Sequence, residues 1–78
     1  MNWIESHRKD LMGKAMAEEG ILGAEIDSSS IPSDRRLAVR DRLTALLETE
    51  IEVCARDAIR IADAWTRGKE APTEWRHA

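Results

Sequence analysis

Ser28, Ser29 and Ser30 are followed closely by Arg35 and Arg36 in the stretch from Ile26 to Arg36. Three hydroxyls, the open amides of a helix starting near Ser33 and two guanidinium groups could together hold a small anion such as a nucleotide phosphate. The competing expectation is capping. Ser33 is a good N-cap, Pro32 sits just outside it, and Asp34 falls in the first turn, where its charge favours the helix dipole. Asp34 also puts negative charge where a phosphate would sit, and no glycine in the stretch allows close backbone approach. Capping is the primary expectation and anion capture the alternative.

Arg35, Arg36, Arg40 and Arg42 cluster within two turns, with Arg56 and Arg60 farther along. Such a strip could meet a nucleic-acid backbone, but Asp34, Asp41, Glu48, Glu50 and Glu52 interleave it, which describes a solvated face of mixed charge. Net charge is −3, and the overall basic footprint of a nucleic-acid binder is missing. Helix-turn-helix recognition needs a tight turn between two short helices, and the connector before Ser33 is too long for one. A nucleic-acid-binding regulator is therefore the weakest of the alternatives.

The remaining reactive types do not assemble into a constellation. Glu50 and Asp57 are seven residues apart near the edge of an apolar helix face, with Arg40 at its other margin. A lone amphipathic helix gives a carboxylate pair neither a pocket nor an acid–base partner, so a polar contact across an interface is the expectation. His7 and His77 lie at opposite ends of the chain, and no spacing suggests a metal site. Cys54, the only cysteine, reads as a small core residue. No catalytic residue, metal or cofactor is expected.

The elements that must position these residues are all helical. The 78 residues include three Trp, no Phe and no Tyr, so the core is small and nearly every apolar side chain must be buried. Asn2 can cap a first helix over about residues 3–19, with Glu5 completing a capping box and Gly20 ending it in a left-handed turn. Its apolar stripe is Ile4, Leu11, Met12, Ala15 and Met16, with His7 alongside and Trp3 at the margin. A Ser/Pro connector, about residues 20–32, follows. From Ser33 to Arg67 there is no Gly or Pro, and Gly68 with Pro72 makes a strong stop. The economical reading is one long amphipathic helix, about 34–67, with a tail over 68–78; the pattern leaves a kink between Glu48 and Glu52 open.

On that long helix, Leu47, Ile51, Cys54, Ala58, Ile61 and Trp65, continuing back to Leu43, alternate in steps of four and three, the spacing of a seam between packed helices. At 1.5 Å per residue the helix would run roughly 50 Å, about twice the length of the first. A helical hairpin with the first helix would leave part of the seam uncovered, and monomers rarely expose large apolar patches. The expectation is a bundle completed by oligomerisation, a homodimer being the simplest form.

Through Pro32 the chain has three basic and six acidic residues, and from Ser33 onward nine of each. The solitary cysteine and the lack of an N-terminal apolar run fit a reducing, cytoplasmic setting. In outline, a short acidic helix, a Ser/Pro connector and a long Arg-rich helix, the layout is similar to small phage-encoded helical proteins that block components of host defence. That resemblance rests on no shared motif and carries over no residue. The functional expectation is a non-enzymatic helical module that binds and modulates, by inhibition, a larger protein. Trp3 and Trp75 would be its anchors, because buried Trp contributes heavily to interface energy, with Arg56 and Arg60 meeting the partner.

Overall fold

The computed structural model describes residues 3–21, 29 and 31–71. Asn2 and Trp75, expected as cap and anchor, lie outside the described residues, as do Ser28, Ser30 and His77. The described residues form three α-helices and two single turns of 3₁₀ helix: a turn at Glu5–His7 leading into α1 (Arg8–Glu18), and a turn at Ser33–Arg35 leading into α2 (Arg36–Glu50), which is followed by α3 (Ala55–Thr66). None of these helices is long and apolar enough to cross a membrane.

The first helix buries Leu11, Met12, Ala15 and Met16, together with Ile4 from the turn before it. It ends as Gly20 predicts. Gly20 takes φ +79°, its N–H donates to Ala17 C=O, and the Ile21 N–H donates to Met16 C=O at 2.9 Å, the paired closure that a left-handed residue after a helix permits. Gly68, at φ +76°, closes α3 in the same way, with Lys69 N–H donating to Ala64 C=O at 2.8 Å. At the start of α2 the serine cap does not form. Neither Pro32 nor Arg35 makes a side-chain capping bond, and the entry is instead tightened by Arg35 N–H donating to Pro32 C=O at 2.9 Å.

The expected long helix is broken. Ile51 leaves the helix, Glu52 enters the left-handed region at φ +56°, and Cys54 is extended before α3 begins. Val53 N–H closes this corner onto Leu47 C=O at 3.0 Å, and Ala58 N–H opens the next helix on Cys54 C=O at 2.8 Å. Ile51 and Val53 are β-branched, and β-branched residues are weaker helix formers than straight-chain ones. Packing supplies the larger reason. A non-glycine residue in the left-handed region costs roughly 1–2 kcal/mol, and each forgone helical hydrogen bond about 1 kcal/mol. Folding back buries Leu43, Leu47, Ile61 and Trp65 completely, at about 1.5–3 kcal/mol each, which outweighs both.

Burial within one chain overturns the open seam. Leu43, Leu47, Ala58, Ile61 and Trp65 are all at 0 % exposure inside a single copy. Ile51 is only packed against the edge of the core, and Cys54 is exposed at the corner. The described residues extend 36 Å along their longest axis, too short for a helix of roughly 50 Å. The mismatch that called for a second copy is absent, because α2 and α3 cover each other and α1 packs onto α2.

Candidate functional site

Glu5 ties the turn before α1 to the end of α3 and to the segment that follows it. Its Oε2 accepts from the indole Nε1 of Trp65 at 2.8 Å and from the backbone N–H of Ala71 at 2.7 Å, while Oε1 takes the Arg8 guanidinium at 3.4 Å. Arg8 also lies over the Trp65 ring, 5.9 Å from its centroid, within range of a cation–π contact. The capping-box partner expected for Glu5, Asn2, lies outside the described residues; the Glu5 carboxylate supplies the acceptor that a fully buried indole N–H requires. Burial pushes this carboxyl up, but the bonds from Ala71, Trp65 and Arg8 together outweigh burial and hold it below the ordinary glutamate range.

Trp3 sits on the outer side of the same turn. Its C=O accepts from Ser6 Oγ, and its ring meets His7 edge to face, with centroids 5.9 Å apart and planes at 87°. Trp3 remains 53 % exposed. Trp3 is therefore a large apolar group held in place from behind and open in front. Leu37 and Ile59 are the other large apolar side chains left about half exposed among the described residues.

The other residues singled out from sequence are dispersed. Arg35 Nη1 donates to Glu19 C=O at 2.7 Å, covering the carbonyl end of α1, and Arg36 Nη1 lies 3.7 Å from Asp63 Oδ1 on α3. Arg35 is thus hydrogen-bonded to the end of α1, whereas Arg36 Nη1 is buried without a hydrogen bond among the described residues and faces Asp63 on α3; of Ser28, Ser29 and Ser30 only Ser29 is described, on the surface. Arg56 and Arg60 are exposed, with Arg60 3.9 Å from Asp57. Glu50, expected at an interface between copies, pairs with Lys14 at 3.2 Å, and Arg42 pairs with Glu18 at 3.2 Å, so these charges join α1 to α2.

An open groove runs along the outer face of α1, lined by Ser6, Lys9, Asp10, Gly13, Lys14 and Ala17. Lys14 there is engaged by Asp10 and Glu50, whose hydrogen bond and charges raise its pKa. Among the described residues, no three His, Cys, Asp or Glu side chains converge as a metal site. The arrangement around Glu5 organises structure and presents Trp3; it offers a carboxylate saturated by donors, which is a poor general base.

No protein-family model matches the chain, and no significant match was found among characterised proteins or among solved structures.

Proposed function

We propose that this chain is a small non-enzymatic helical binding module that meets a larger protein through the Trp3 end of α1 and modulates it. The observation that carries the reading is Trp3 itself: a residue 53 % exposed, its backbone carbonyl bonded by Ser6 and its ring set edge to face against His7. An aromatic anchor fixed before binding loses little freedom on docking, and such residues dominate interface energies. Self-association through Leu43, Leu47 and Ile61 is no part of the proposal, since those side chains already serve one chain's core. Anion capture is less well supported, because Arg35 is hydrogen-bonded to Glu19 C=O at the end of α1 while Arg36 faces Asp63 on α3, so the two do not converge on one corner. Inhibition of a host-defence component is the narrowest form of the reading and rests on outline resemblance alone.

The test is parallel affinity purification from the native host with tagged wild type and Trp3→Ala, after circular dichroism confirms equal helix content. A protein recovered in stoichiometric amount with wild type and lost with Trp3→Ala is the expected result. Identical recoveries from both would remove Trp3 as the anchor.

A further inference from the structure

We infer that the Glu5 carboxylate is an acid-operated latch for the segment that follows α3, holding residue 71 against the N-terminal turn while ionised and releasing it when protonated. One oxygen serves two donors of unequal circumstance. Trp65 is fully buried, so its Nε1–H has no route to water and leaving it unmade is costly. Ala71 is 3 % exposed and packs its methyl group on the core, its N–H donates to Glu5 Oε2 at 2.7 Å, and Lys69 and Glu70 just before it are exposed, so its amide has a shorter route to solvent than the indole has. Hydrogen bonds to an ionised acceptor are roughly twice as strong as neutral ones. Neutralising Glu5 weakens both bonds, and the donor with the cheaper alternative leaves first.

The surroundings make Glu5 the titrating element of this contact. Among the described residues, the facing charged group from α1 is the Arg8 guanidinium. From α3 the facing group is the neutral Trp65 indole, and from the segment after α3 it is the Ala71 amide. His7 lies two residues along in the same turn with its ring against Trp3, and Lys69 and Glu70 are exposed. The lowered pKa of Glu5 keeps the latch closed at neutral pH and sets its opening on the acid side. Local opening of this kind needs far less free energy than global unfolding.

The experiment is nuclear magnetic resonance of the full chain across an acid titration. It follows the Glu5 side-chain carboxyl, the Trp65 indole N–H and the hydrogen-exchange protection of the Ala71 amide, each corrected for intrinsic exchange. Protection at Ala71 should fall about tenfold with the midpoint of the Glu5 carboxyl, while Trp65 and the α2 amides stay protected. Glu5→Gln should show the low Ala71 protection already at neutral pH. Ala71 protection that ignores the Glu5 midpoint, or that disappears only together with α2 and α3, overturns the inference, and the wild-type titration decides it even if Glu5→Gln fails to fold.

Discussion

Arg36, in the first turn of α2, has its Nη1 3.7 Å from the Oδ1 of Asp63 near the end of α3. This pairing ties the start of one helix to the far end of the next across the corner at Ile51–Cys54. Asp63 also takes Arg67 at 3.0 Å. Asp63→Asn should cost about 1 kcal/mol, because the side chains are part-exposed and the 3.7 Å separation makes no hydrogen bond, while the buried Arg36 Nη1 keeps the loss from being nil. Urea denaturation measures it; a loss of several kcal/mol would mean that the helix pairing is electrostatic rather than apolar.

Two isoleucines on α3 separate the buried face from the outer one. Ile61 is at 0 % exposure and Ile59 at 50 %. Ile61→Ala should destabilise by about 2–5 kcal/mol, and Ile59→Ala by about 0.5 kcal/mol or less. Equal effects in paired denaturation curves would contradict the face assignment.

The pH dependence of stability follows from Glu5. Its pKa is lowered in the folded chain, so its contribution is fully present above the unfolded glutamate pKa and is lost as pH falls through the folded value. The stability difference between wild type and Glu5→Gln should therefore be constant near neutral pH and shrink in acid. A difference that does not change between neutral and acid conditions would show that the charge of Glu5 is not what matters.

Much of the architecture is legible from residue spacing. Gly20 and Gly68 mark two helix ends because glycine enters the left-handed region freely. Ile4, Leu11, Met12, Ala15 and Met16 mark one buried stripe, and Leu43, Leu47, Ala58, Ile61 and Trp65 another. Which partner covers the second stripe is not legible, because the corner that decides it uses Glu52 in a conformation usually left to glycine. Spacing alone cannot distinguish a seam waiting for a second copy from one closed by its own chain. The Glu5 junction is hidden for a different reason: its partners are 60 and 66 residues away, and no local pattern encodes such a contact. Trp3 is legible as a candidate anchor by residue type alone, whereas its contacts with Ser6 and His7 depend on the turn that brings them together.

That the apolar stripe is closed within one chain by a break at Glu52 is tested most directly by the sign of one substitution. Glu52→Gly relieves a left-handed non-glycine residue and should stabilise the chain by about 1 kcal/mol, seen as a higher urea midpoint at unchanged slope. In an unbroken helix the same change would destabilise by roughly the same amount, and a lowered midpoint would contradict the fold and the account built on it.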